Sequence, residues 1–170
     1  IDSRYEDFKF EERGVRHIYP ELQVAMSLAD GRALTIHRDL ERTCASIAAF
    51  SKKDAASYRD MQREHDELMQ NILAPQTYVP MDAAPLMAAK AEMTELGRAL
   101  SEYTDKTPEE IVCERFENEH VRTLMLYMAC HWGLDYAQSG VSYMVPIYLD
   151  RMRHYRLTAG GSHRAASARA

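Results

Sequence analysis

The chain has 170 residues, of which 46% are hydrophobic and 28% are charged, and its formal net charge at pH 7 is -5. This length suits one domain with a substantial core, and the hydrophobic content excludes a chain that is disordered throughout. The mildly acidic balance gives no overall electrostatic support for nucleic-acid binding, so we expect no nucleic-acid partner.

The first third of the chain predicts a small antiparallel sheet. Short β-prone runs occupy residues 15–19, 22–28 and 33–37, and the Asp30-Gly31 pair predicts a hairpin turn between the second and third runs. Apolar and polar residues alternate along 22–28, which is typical of a half-buried strand.

Helical patterns dominate the rest of the sequence. We predict helices over residues 38–50, 52–73, 86–103, 107–133 and 141–155, followed by the capped beginning of another at Ser162. Ser51 is a suitable N-cap for the second helix, and Pro146 is expected to bend or begin the fifth. The predicted fold class is therefore α+β, a small antiparallel sheet with about six helices, one of them central and buried.

The stretch TPEEIVCERFENEHVRTLMLYMACHWG, residues 107–133, predicts that central helix as one continuous element. Thr107 is a favourable N-cap, Pro108 suits the first helical position, and Gly133 can adopt the left-handed conformation that ends a helix. Apolar residues surround much of its second half, which favours burial among other elements. That half is shorter than the roughly 20 apolar residues of a membrane span, so we expect no transmembrane segment.

The cysteine pattern and the N-terminal sequence bear on the cellular location of the protein. Cys44, Cys113 and Cys130 form no C-x-x-C pair, and we expect all three to be reduced and packed. Without a signal peptide or lipidation motif the expected location is the cytoplasm, with contact to a membrane surface left open. Because the chain opens on Ile1 and not on Met, we expect a processed chain or an excised piece.

One pair of residues has the spacing of a metal-binding helix. Glu117 and His120 form an E-x-x-H pair, but a di-iron bundle needs a second such pair and two further glutamates, which the sequence does not offer. We therefore interpret His120 as a semi-buried side chain held by Glu117 or solvent, and expect no metal. No G-x-S-x-G, Walker or G-x-G-x-x-G motif is present, and no catalytic residue can be assigned.

Two further features could contact a small molecule. Tyrosines and methionines are close together over residues 127–152, where they could line an adaptable apolar pocket or form an ordinary soft core. The Gly160-Gly161-Ser162 segment predicts a turn whose backbone N–H groups could approach a ligand closely.

Taken in order, three segments resemble the middle portion of the phytoene desaturase-related FAD-dependent oxidoreductases, which are amine-oxidase-like flavoproteins. The first segment, residues 13–61, holds two strands, the Asp-Gly turn, a third strand and a Phe-Ser-x-x-Asp-Ala helix start. The second, residues 107–135, is similar to a long helix of that family, and the third, residues 156–168, to its Gly-Gly segment. The family's N-terminal dinucleotide-binding fold is missing from this chain.

The resemblance implies a substrate-binding domain over residues 15–158, an extended lead-in over 1–14, and a turn and helix start over 159–170 that return towards a flavin domain. It implies FAD, bound mainly by regions outside this chain, with Gly160, Gly161 and Ser162 nearest to the flavin. The implied reaction is dehydrogenation of a lipophilic substrate by hydride transfer, and the implied partner is the nucleotide-binding half of the same enzyme or another chain.

Candidate pocket-lining residues come from the apolar helix and the segment after it, not from a family motif. They are His120, Tyr127, His131, Trp132 and Tyr143. Two alternatives remain open at this point: a non-catalytic α-rich interaction module or partner subunit, and a metal-binding helical protein.

Overall fold

The computed structural model of the chain describes residues 9–74 and 93–168. These residues form strands β1 (His17–Ile18), β2 (Leu22–Ser27), β3 (Ala33–His37) and β4 (Leu157–Thr158), and helices α1 (Leu40–Ala48), α2 (Lys52–Leu68), α3 (Glu95–Asp105), α4 (Pro108–Arg115), α5 (Glu119–Cys130), α6 (Met144–Arg153) and α7 (His163–Ser167). A π-helical turn over Met69–Leu73 extends α2. The predicted α+β class is confirmed.

The described strands form two antiparallel pairs instead of the single sheet that we expected. Strands β2 and β3 form the hairpin that the Asp30-Gly31 turn predicts, and Gly31 has the left-handed φ of 83° that glycine permits. Strand β1 pairs instead with β4, which places His17 opposite Thr158. No local pattern identifies this partner, because β4 lies at the other end of the sequence.

The core lies between one face of the hairpin and helices α1, α2, α5 and α6. Leu34 and Ile36 of β3 are both fully buried against it. The helices add completely buried side chains, among them Ile47, Tyr58, Met61, Met125, Met128, Val145 and Leu149. Helix α5 packs against both α4 and α6 and is the central buried helix of the fold. No described helix is both long enough and apolar enough to span a bilayer.

The central helix is not continuous from Thr107 to Gly133, as we predicted, but is broken at Phe116. Both oxygens of the buried Asp54 carboxylate in α2 accept hydrogen bonds, from the backbone N–H groups of Glu117 and Asn118 at 2.9 Å. Asn118 then caps α5, its side-chain oxygen accepting from Val121 N at 3.3 Å. The break therefore arises because a distant carboxylate takes N–H groups that a continuous helix would bond internally.

Several other predictions can be compared with the described residues. The Ser51 cap is confirmed, since its Oγ accepts from Asp54 N at 3.0 Å, and α6 begins near Pro146 as expected. Ser162 makes no side-chain capping hydrogen bond, so the predicted cap is wrong. Cys113 is exposed and not packed.

The predicted lead-in and the 86–103 helix fall partly on residues that lie outside the described ranges. Residues 9–14 form turns and not an extended strand, with Phe10 only 7% exposed. The described part of the helix predicted over residues 86–103 corresponds to α3.

Candidate functional site

Five aromatic rings form a contiguous group where α5 ends and along α6. They are Tyr127, His131, Trp132, Tyr148 and Tyr155, here named the Trp132 cluster. Trp132 stacks on Tyr155 with the ring centroids 5.6 Å apart and the planes at 19°. His131 Nε2 lies 3.2 Å from the hydroxyl oxygen of Tyr155, which fixes the imidazole against the same ring.

The sequence spacing of these residues explains why the rings meet. Tyr127 and His131 are four residues apart and therefore lie on one side of α5. On the facing element, Tyr148 and Arg151 are three residues apart on one side of α6, and Tyr155 follows two residues after the end of that helix. Because α5 and α6 pack together, the two stripes form one surface.

This surface is apolar, accessible and bordered by a cation. Tyr127 is 52% exposed and Trp132 is 40% exposed. The Arg151 guanidinium lies 5.7 Å from the Trp132 ring centroid and 6.0 Å from that of Tyr148, within the range of cation–π attraction. Such a surface can stack on a flat or apolar molecule, but it contains no nucleophile held by a base.

The structure brings together three of the five predicted pocket residues. Tyr127, His131 and Trp132 belong to the cluster, whereas His120 lies at the other end of α5 and packs edge-on against Phe50, with ring centroids 6.0 Å apart. Tyr143 precedes α6, is half-buried and is not among the rings that contact one another in the cluster. Of the three methionines of residues 127–152, Met128 and Met152 are buried in the core and Met144 is half-buried.

Sequence reasoning missed Arg151 and Tyr155. Both residues were visible in the sequence close to Tyr148, but nothing local showed that α6 and the residues just after it would face Trp132 at the end of α5.

The E-x-x-H pair does not act as one unit. The helix break removes Glu117 from the face that carries His120, and the Glu117 carboxylate instead accepts from Lys53 Nζ at 2.9 Å and Ser51 Oγ at 3.1 Å. These hydrogen bonds, with that of Lys53 first, hold the pKa of Glu117 below its ordinary value. Of the two partners expected for His120, Glu117 is therefore not the one, whereas the expected half-buried position of His120 is observed.

The Gly160-Gly161-Ser162 segment is an exposed turn between β4 and α7. Gly160 and Gly161 have left-handed φ values of 81° and 91°, which explains the need for glycine at both positions. A Cβ on Gly160 would lie 3.4 Å from Nε of Arg164, so the guanidinium group is close to the turn. The backbone and this cation are accessible to a group that approaches from outside.

A cavity of about 230 Å³ lies between α2, α3 and α4 and has charged walls. Arg115 pairs with Glu64 at 2.6 Å and also donates to the Tyr103 hydroxyl, while Lys106 pairs with Glu114 at 2.6 Å. Burial raises the pKa of Tyr103, although the neighbouring Arg115 charge opposes that rise. Because its walls are charged, with Glu102 beside these two ion pairs, this cavity offers less to an apolar ligand than the Trp132 cluster does.

Comparison with known proteins identifies a relative that matches nearly the whole chain. The chain is 37% identical over 166 residues to a subunit of limonene dehydrogenase from Castellaniella defragrans, a match that covers 96% of this chain and 30% of the relative. The chain is homologous to a dehydrogenase subunit. It spans less than a third of that subunit's length. No family model and no solved structure matches the chain.

Proposed function

We propose that the chain is a substrate-binding segment of an FAD-dependent dehydrogenase subunit that oxidises a lipophilic cyclic hydrocarbon of the limonene class. The observation that carries this proposal is the 37% identity to the limonene dehydrogenase subunit over 166 residues. The resemblance to phytoene desaturase-related oxidoreductases points to the same chemistry, and FAD is the cofactor that it implies.

The Gly160 turn fits a contact with the outer part of such a cofactor. Its two left-handed glycines expose backbone, and Arg164 supplies a cation beside them that suits a phosphate. The turn is too small to hold a dinucleotide alone, so the remaining contacts have to come from chain outside these residues or from a partner subunit. Bound FAD would accept the hydride in this reaction.

The β1–β4 pair supports the same arrangement. It places residues 17–18 beside residues 157–158, so the segments that lead into and out of the helical core lie together. A domain connected through two neighbouring strands can be inserted into a larger protein without disturbing its own core. The Gly160 turn follows directly after this connection, at the position where the chain would return to the flavin.

The Trp132 cluster is the surface that we assign to the substrate. An apolar hydrocarbon offers no hydrogen bonds, so it is held by burial of apolar area and by ring contacts. Trp132 and Tyr127 supply that area, and covering them by substrate or by the neighbouring domain would exclude water from the reacting bond. The described residues provide orientation and water exclusion, and none is assigned as a base.

Spectroscopy of the native protein, purified with any copurifying chain, tests this function directly. We expect a flavin absorbance spectrum, release of FAD on denaturation, and bleaching of the flavin band when limonene is added without oxygen. A native preparation without flavin would refute the FAD assignment. A flavin-containing preparation that no cyclic hydrocarbon bleaches would refute the substrate class.

A pair of variants tests the role of the Trp132 cluster. In the active assembly, Trp132→Ala should raise KM for the hydrocarbon by about tenfold, because it removes a ring contact and much of the apolar surface. Ile18→Ala is the matched control. Ile18 is also an exposed apolar residue, 53% exposed against 40% for Trp132, but it lies on β1 and outside the cluster. Equal KM values for the two variants would exclude the cluster from substrate binding.

A further inference from the structure

A second group of functional side chains lies at the contact between α2 and α6, away from the Trp132 cluster. His65 and Asp66 come from the last turn of α2 and Asp150 from the middle of α6. Each offers one ligand atom, and these three atoms lie within 4.8 Å of one another. Imidazole nitrogen and carboxylate oxygen are ligands that a divalent transition metal accepts.

His65 supplies a buried nitrogen atom that is available to bind a metal ion. Its side chain is 7% exposed, and its Nδ1 has no hydrogen-bond partner among the described residues. The nearest charged atom is Oδ1 of Asp66 at 3.4 Å. A buried polar atom without a hydrogen bond is costly, and a metal ion bound to Nδ1 would satisfy it.

One pair of these atoms already has the spacing of two ligands on the same ion. In a tetrahedral zinc site with bonds of about 2.0–2.1 Å, two ligand atoms are separated by about 3.3–3.4 Å. The observed 3.4 Å between His65 Nδ1 and Asp66 Oδ1 matches this separation. The ligand atom of Asp150 lies within 4.8 Å of the other two, so its side chain would move towards the ion to become the third protein ligand, and water would complete the site.

The surroundings of Asp150 hold its carboxylate in place. Arg153 Nη2 and His154 Nδ1 both contact Oδ1, at 3.2 Å and 3.1 Å, so neither of these contacts occupies Oδ2. The Arg153 guanidinium is itself fixed by Arg38 O at 2.8 Å and Gln62 Oε1 at 3.3 Å. Outer partners of this kind commonly orient the carboxylates of metal sites.

We propose that His65, Asp66 and Asp150 form a binding site for a divalent transition metal, with Zn²⁺ as the best match to the nitrogen and oxygen ligands. The ion links the end of α2 to α6 and so stabilises the contact between two helices of the core. The site is separate from the proposed flavin chemistry and does not depend on it. The E-x-x-H motif did not reveal it, because its ligands come from two helices distant in sequence.

The test is a titration of the chelator-treated, dialysed protein with ZnCl₂ by calorimetry, in the Cys113→Ser background because the exposed Cys113 thiol is itself a zinc ligand. We expect one zinc ion per chain and a higher Tm in the presence of zinc. Asp66→Asn should weaken zinc binding at least about tenfold. This variant is expected to fold because the Asp66 side chain is 64% exposed and asparagine has the same shape.

Glu67→Gln is the matched control, because it makes the same charge change at the next, exposed position and should leave zinc affinity unchanged. His65→Gln gives a second readout: bound Co²⁺ should lose its visible d–d absorption in this variant. Absence of saturable zinc binding, or equal affinity in Asp66→Asn and Glu67→Gln, would show that the three residues form only an ion-pair network.

Discussion

Tyr58 illustrates how much a single buried atom can contribute to stability. Its ring is fully buried in α2, yet its hydroxyl has no hydrogen-bond partner among the described residues. Burial also raises the pKa of this hydroxyl far above its ordinary value, so the group stays neutral. The ring contributes apolar burial, whereas the hydroxyl carries an uncompensated desolvation cost.

Tyr58→Phe should therefore stabilise the protein. Removing the hydroxyl while keeping the ring is expected to raise the free energy of unfolding by about 1 kcal/mol. The measurement is urea denaturation followed by circular dichroism. Tyr103→Phe is the control and should lower the free energy of unfolding, because the Tyr103 hydroxyl accepts a hydrogen bond from Arg115. A loss of stability in Tyr58→Phe would mean that the hydroxyl has a partner beyond the described ranges.

At the scale of single residues, the sequence predicted which residue types are important more accurately than it predicted which residues contact one another. The helical spacing placed Tyr127 and His131 together correctly, because both lie on one helix. It also named His120 as a pocket residue, and His120 lies two helical turns from Tyr127 and three from His131 along the helix. The contacts of Trp132 with Tyr148 and Tyr155 depend on the packing of α5 against α6, which spacing within one helix does not determine.

At the scale of elements, two helix starts with clear local caps were predicted correctly, whereas the Ser162 cap and the interruption of the central helix were not. The Ser51 and Thr107 caps are local signals, and both make the expected hydrogen bonds; Thr107 forms a complete capping box with Glu110. The break before α5 is different, because it depends on Asp54 in another helix. Asparagine favours the N-cap position, so Asn118 is a signal that could have indicated a new helix start, but the surrounding helical pattern led us to predict a continuous helix.

Asp54→Ala should show that this carboxylate holds the break. The substitution removes the acceptor for two backbone N–H groups, and we expect the free energy of unfolding to fall by about 3 kcal/mol. Asp54→Asn keeps one acceptor oxygen and should lower the free energy of unfolding by a smaller amount. Both values can be measured by urea denaturation.

Asp60→Ala is the matched control on the same helix. The Asp60 side chain is 50% exposed and pairs with Arg63 at the surface, so a change below about 0.5 kcal/mol is expected. If Asp54→Ala and Asp60→Ala were equally mild, the break would have to be attributed to the local sequence of residues 116–118 alone.

At the scale of the whole molecule, the core and the terminal connection are distinct. Among the described residues, the last buried apolar side chain is Met152 of α6, and the residues after it add the β1–β4 pair and the exposed Gly160 turn. Arg13 donates to Ala168 O at 2.5 Å, which adds one more exposed link between the two ends. Stability should therefore depend on α6 and only weakly on the residues after it.

Two truncations separate these contributions. A chain ending at Tyr155 should keep cooperative unfolding and lose no more than about 2 kcal/mol, because it gives up a short, exposed strand pair. A chain ending at Tyr143 lacks α6 and its buried residues Val145, Leu149 and Met152, and it should lose cooperative unfolding altogether. Thermal and urea denaturation of both chains provide the comparison. If the chain that ends at Tyr155 also lost cooperative unfolding, β4 and the Gly160 turn would belong to the folding unit. The proposed division between a helical core and a connection to the flavin would then be wrong.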